Sequence, residues 1–179
     1  LLMVSGGNEL ESFWLFVTLA RSPEYYLIGL FEDGFPLLNL YIFIFYQLFK
    51  KELPILYEHF QSLMLPDNMW ITSWFWTLFL YALPTKKVIR LWDLIITEDI
   101  FFMLKAAVAL LKLYEKEIMG LDTNGVNDLF RFIKTEKHIK NPKLSVDEST
   151  IIFMAKEVDI EQLLKIAQKI KLSKEKIAE

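Results

Sequence analysis

The side chains able to do chemistry are few, and their spacing limits what they can do. His59 and His138 stand far apart. A metal site needs three or four converging ligands, and Glu58-His59 brings only two such groups together, so neither a metal nor a cofactor is expected. Asp122-Thr123-Asn124-Gly125 begins like a calcium loop. That loop requires glycine at its sixth position and glutamate at its twelfth, and here those places hold Asn127 and Ile133. A helix cap at Asp122 or Thr123 is the better reading. The chain has no cysteine, which removes disulfides, thiolate zinc sites and a cysteine nucleophile. Ser73 lies between tryptophans with no Gly-x-Ser-x-Gly around it, so no nucleophilic triad is indicated. Glu98-Asp99 precede a helical pattern, where acidic residues complement the helix dipole. The three arginines are Arg21, Arg90 and Arg131. Arg90 and Asp93 fall three apart, on one side of a helix. They read as a structural pair with Trp92 packed beneath, and secondarily as a contact to a partner.

The elements that must position these groups are set by an uneven composition. Of 179 residues, 54% are apolar and the net charge is -3, which excludes a disordered chain and a strongly basic nucleic-acid binder. Residues 1–110 carry 23 of the 27 aromatic side chains, and the last 69 residues carry 25 of the 43 charged ones. The first part is expected to be a buried aromatic body, the last part amphipathic helices on or beside it. Balanced charge after residue 134 reads as solvated helix faces. The apolar runs 35–49 and 69–84 fall short of the roughly 20 residues that span a bilayer, so they read as buried helices. The chain opens on Leu1 in apolar sequence without a secretory signal, which reads as a start inside a longer protein.

Periodicity predicts an all-α chain of about ten helices. Glu9–Ala20 has Asn8 as cap with Glu11 at capping-box spacing, and Leu10, Phe13, Trp14 and Val17 form one apolar stripe. A short helix is predicted for 24–30. The run 37–52 has strand-like composition but helical spacing and length, and is taken as a buried helix. Pro54 suits the first position of the next helix, 55–63. Asp67 or Asn68 then caps a helix over 69–82, whose Trp70, Trp74 and Trp76 read as core. Thr85 caps a helix through Leu94. A long amphipathic helix over 101–119 ends at Gly120. It has Phe101, Leu104, Val108, Leu111 and Ile118 on one face and Lys105, Lys112 and Lys116 on the other. The next helix carries Val126, Leu129, Phe130 and Ile133. A charged linker over 134–143 follows. Capping boxes at Ser145/Glu148 and Asp159/Gln162 open helices over 146–158 and 160–172, and residues 173–179 are expected to fray.

Four motifs in order carry a resemblance. Glu9-Leu-Glu-Ser-Phe13-Trp14 is followed by Leu53-Pro54-Ile-Leu56-Tyr-Glu-His59-Phe60. The stretch from Trp70 through Trp74-Phe75, Phe79, Leu83 and Pro84 comes next, and then Arg90-Leu91-Trp92-Asp93. Over residues 1–135 the chain resembles the C-terminal half of TBC domains, the Rab GTPase-activating family. The residues that match its structural motifs are Phe13, Trp14, Pro54, His59, Trp74, Phe75, Phe79, Pro84 and Trp92. Residues 136–179 are either the end of that domain or an appendage. The resemblance implies an irregular all-α helical array, a small GTPase of the Rab type as partner, no transmembrane segment, and a cytoplasmic role in vesicle trafficking at or near endomembranes.

In this family an arginine from I-x-x-D-x-x-R neutralises charge developing on the phosphates, and a glutamine from Y-x-Q orients the attacking water. An arginine supplied in trans is worth about 10³–10⁵ in rate. Both motifs belong to the family's N-terminal half. Asp128-Leu-Phe-Arg131 has Gly125 where isoleucine belongs and falls in the wrong order, and Phe45-Tyr46-Gln47 is not Y-x-Q. The resemblance therefore implies no catalytic residue in this chain, which should be inactive alone and should pair with the missing half of its domain. A non-catalytic GTPase-binding or scaffold module is the alternative.

Overall fold

Helix α6, Phe102–Leu113, is buried along almost its whole length, from Phe102 to Leu104 and from Ala106 to Leu111. Only a helix surrounded by others can be apolar all round. Its neighbours are α2 (Pro36–Glu52), α5 (Thr85–Thr97) and α9 (Ile160–Lys169). The remaining helices are α1 (Glu9–Arg21), α3 (Pro54–Leu63), α4 (Ile71–Trp76), α7 (Glu115–Ile118) and α8 (Thr123–Thr135), with short 3-10 turns at Leu27–Phe31 and Asp67–Met69. This computed structural model describes residues 1–2, 4–135 and 157–172. Among them there is no strand, and no helix is long and apolar enough to cross a membrane. His138, the linker beyond residue 135, the Ser145/Glu148 capping box and the terminal 173–179 segment lie outside the described residues.

Three of the expected caps form, whereas neither Asp67 nor Asn68 caps α4: both lie in the 3-10 turn, and α4 starts at Ile71 after Trp70 with no side-chain cap. Asn8 Oδ1 accepts from the Glu11 backbone N–H at 3.1 Å, and Asp159 Oδ1 accepts from that of Gln162 at 3.0 Å. Asp122 Oδ1 likewise accepts from Gly125 N–H at 2.8 Å at the start of α8. Pro36 and Pro54 open α2 and α3, where the missing N–H costs nothing. The ambiguous 37–52 run is helical, with Tyr41, Phe45, Leu48 and Phe49 buried.

Several boundaries differ from the sequence expectation. The helix expected over 24–30 is the 3-10 turn Leu27–Phe31, entered through Tyr26 at φ 41°. The helix expected over 69–82 stops at Trp76, because Leu78 and Phe79 turn left-handed at φ 46° and 69°. That turn puts Phe79 in the core and lets the Leu78 carbonyl accept the Trp92 indole N–H at 2.8 Å. Thr85 does not cap α5: Pro84 holds that position and the helix runs on to Thr97. The helix expected over 101–119 breaks at Tyr114 into α6 and α7. Its supposed polar face is partly covered. Lys105 is mostly buried, with Nζ 4.0 Å from a Glu98 carboxylate oxygen and 5.7 Å from the Phe102 ring centre. Glu157 and Val158 are not helical, and the last helix ends at Lys169.

The sharpest departure is α1. Its apolar stripe faces outward: Leu10, Phe13 and Trp14 are 70%, 56% and 59% exposed, and its one buried residue is Ser12. Ser12 Oγ donates to the Asn8 carbonyl at 2.7 Å and lies 2.6 Å from Ser5 Oγ. An amphipathic stripe normally turns toward a core; here nothing among the described residues covers it.

Candidate functional site

The family-motif residues singled out from sequence fall into three places, and Arg90 with Asp93 forms a fourth. The largest group converges on the 77–80 turn. Trp74 sits at the end of α4, edge-on to Trp70 at 5.3 Å and to Phe130 of α8 at 5.0 Å. Phe79 tilts against Trp74 at 5.7 Å, and Phe75 packs edge-on to Phe45 of α2 at 5.8 Å. Such pairs each add about 0.5–1.5 kcal/mol beyond the area they bury. Trp92 ties α5 to the same turn through its indole, and the Pro84 carbonyl accepts from Lys87 and Val88 N–H to start α5.

A second group lies on α3. Pro54 opens the helix, and just over one turn later His59 reaches across to the end of α7 and the segment that follows it. Its Nε2 is 3.1 Å from both the Ile118 and Leu121 carbonyl oxygens. Two carbonyl partners require Nε2 to carry a proton, so the ring is a clamp between segments 59 and more positions apart. Phe13 and Trp14 form the third place. They touch each other edge-on at 5.4 Å on the uncovered face of α1, away from the other motifs.

Arg90 and Asp93 sit on the solvent side of α5, whose inner side buries Val88, Leu91 and Ile95. Arg90 Nη1 donates to Asp93 Oδ2 at 2.9 Å. Its Nη2 and Nε both donate to Glu161 Oε1 on α9, at 3.2 and 3.3 Å. The hydrogen bond to Glu161, and then its charge, hold the guanidinium above its ordinary value. Gln168 Nε2 also donates to Glu98 Oε1 at 3.3 Å, a second polar link from α9 to the end of α5. The apolar side of α9 seats Leu163, Leu164 and Ala167 in the core. Sequence reasoning missed Glu161 because no local pattern connects positions 71 apart.

It also missed a groove of about 630 Å³ between α4 and α8, with Trp70, Trp74 and Phe130 along its floor and Tyr81, Arg131 and Lys134 at its edges. Neither cation is free there. Arg131 lies 3.5 Å from Asp128, and Lys134 Nζ donates to the Leu80 and Leu83 carbonyls, with burial lowering its pKa. No group of three histidine or carboxylate side chains among the described residues is placed to hold a metal ion. The arrangement can pin helices and bury aromatic rings.

Comparison with known proteins places this architecture. The family model described as the Rab-GTPase-TBC domain matches residues 1–119. The chain is 32% identical over 123 residues to the human Ecotropic viral integration site 5 protein homolog, across 69% of this chain and 15% of that protein. It is 34% identical over 135 residues to the GTPase-activating protein GYP5 of Saccharomyces cerevisiae, across 75% of this chain and 14% of that protein. Identity to TBC1 domain family member 12 of Xenopus tropicalis is 26% over 115 residues, across 64% and 16%. The chain thus spans about 15% of the length of the curated relatives it matches. With its helical array and its ordered motifs, the chain belongs to the Rab-GTPase-TBC domain family.

Proposed function

We propose that this chain is the structural lobe of a GTPase activator for a Rab-type small GTPase, and that the catalytic arginine and glutamine are supplied by other polypeptide. The observation that carries the reading is the family match over residues 1–119, joined to relatives one of which bears the name GTPase-activating protein. Within this reading Arg90 and Asp93 are positioning residues. Arg90 is engaged by Asp93 and Glu161, which argues against its use as a finger on phosphate. The uncovered stripe Leu10, Phe13 and Trp14 is then the face that receives the remainder of the domain. A cytoplasmic role in vesicle trafficking, peripheral to endomembranes, goes with this reading.

The test is single-turnover GTP hydrolysis by a panel of Rab proteins. This chain alone leaves the rate unchanged. A longer polypeptide that includes the arginine and glutamine motifs accelerates it by about 10³–10⁵. Acceleration by this chain alone overturns the division of labour. Binding of a Rab by the longer polypeptide without acceleration favours a non-catalytic module.

A further inference from the structure

A cavity of about 270 Å³ lies between the end of α1, the 27–31 turn, the 77–80 turn and α5. Leu19, Leu27, Leu80 and Ile100 supply aliphatic wall, and the rings of Trp76 and Trp92 supply aromatic wall. Every side-chain donor in that wall is already engaged by a backbone carbonyl. Tyr25 Oη donates to Ile96 at 2.8 Å, Trp76 Nε1 to Leu30 at 3.0 Å, Thr77 Oγ1 to Ser73 at 2.7 Å and Trp92 Nε1 to Leu78 at 2.8 Å. A buried water needs two to four polar partners, and an apolar cavity of about 150 Å³ stays dry and accepts benzene. By the same measure this one accommodates an apolar body of roughly eight to ten carbons.

Two further features bear on the occupant. The cavity is partly open, and of its lining side chains Phe16 and Ile96 are 60% and 47% exposed, so a ligand can bury its apolar end and leave a polar head in water. The wall also includes Leu78, held left-handed at φ 46°. A non-glycine residue in that conformation stores strain of the kind that gathers at ligand sites.

We propose that this cavity binds the hydrocarbon end of a medium-length acyl chain, from a free fatty acid or a lysolipid. An apolar wall with no open side-chain donor selects against polar ligands, and the opening selects a linear molecule with one polar end. The GTPase reading makes no use of this cavity, so the two stand or fall separately.

The experiment titrates this chain with straight-chain carboxylates of six to fourteen carbons and with lysophosphatidylcholines of matching acyl length. All are kept below their micelle thresholds. Calorimetry and tryptophan fluorescence report binding, since Trp76 and Trp92 line the wall. Affinity should rise about fourfold per methylene and level off near ten carbons. Ile96→Phe, enlarging a partly exposed wall residue, should weaken binding at least about tenfold, the worth of roughly two methylenes. Leu80→Ala should move the plateau to longer chains, a gain that misfolding cannot mimic. Response to one series only assigns the source of the chain. No binding in either series, or a rise without a plateau that Ile96→Phe leaves untouched, overturns the proposal.

Discussion

Arg90 of α5 and Glu161 of α9 meet at 3.2 Å although they are 71 positions apart, and Asp93 holds the other side of the same guanidinium at 2.9 Å. The pair is more than half exposed on both sides, so it orients α9 more than it stabilises it. The stabilisation comes from the other face of α9, where Leu163 and Ala167 are completely buried. Glu161→Gln should therefore lower the unfolding midpoint slightly, and the loss should shrink in molar salt. Leu163→Ala should cost about 2–5 kcal/mol irrespective of salt. Denaturant unfolding of both variants at low and high salt checks the contrast.

His59 joins α3 to the last residue of α7 and to Leu121 beyond it through two carbonyl oxygens. Its removal takes the donor from the part-buried Leu121 carbonyl, while the Ile118 carbonyl keeps the Leu121 N–H at 3.0 Å; the lost partner costs about 1–3 kcal/mol. His59→Ala should show that loss in equilibrium unfolding. Faster amide exchange around residues 118–121 should accompany it, with α9 unaffected.

Phe79 combines full burial with φ 69°. Truncation removes a large side chain at a cost of about 3–5 kcal/mol, and alanine additionally retains the left-handed penalty of about 1–2 kcal/mol that glycine avoids. Phe79→Gly should accordingly be the more stable of the two truncations, the reverse of their usual order inside a helix. Thermal or denaturant midpoints of the two variants decide it.

Tyr41 is buried against Phe101, and that burial, with a smaller contribution from the Asp99 charge, pushes its phenol up to about 12. The unfolded chain loses this proton near pH 10 and the folded chain near pH 12. The stabilisation is complete below pH 10 and is lost as pH rises to 12, amounting to about 2 kcal/mol. Tyr41→Phe should remove that part of the alkaline loss while keeping the ring contact. Unfolding curves from pH 8 to 11 test this.

The exposed pair Phe13 and Trp14 predicts association through α1. Phe13→Ser with Trp14→Ser should reduce self-association and dye binding by the isolated chain. It should change stability by no more than about 0.5 kcal/mol, as expected for surface positions. Light scattering alongside unfolding would contradict this if the variant associates as the parent does.

The sequence by itself determined the helical class, the caps at Asn8 and Asp159 and the proline start at Pro54. Each of these rests on interactions within four residues or on a repeating apolar spacing, which are local properties of a chain. It could not locate the break after Trp76, since no glycine or proline marks it. The turn there exists because Phe79 fills the core and Trp92 captures the Leu78 carbonyl. Nor could it orient α1: periodicity reports that a stripe is apolar and leaves open what covers it. Glu161 beside Arg90, the covered side of Lys105 and the apolar cavity behind Trp92 arise only when helices distant in sequence pack together. Those contacts depend on how α5, α6 and α9 fit against one another, and spacing along one helix carries no record of its neighbours.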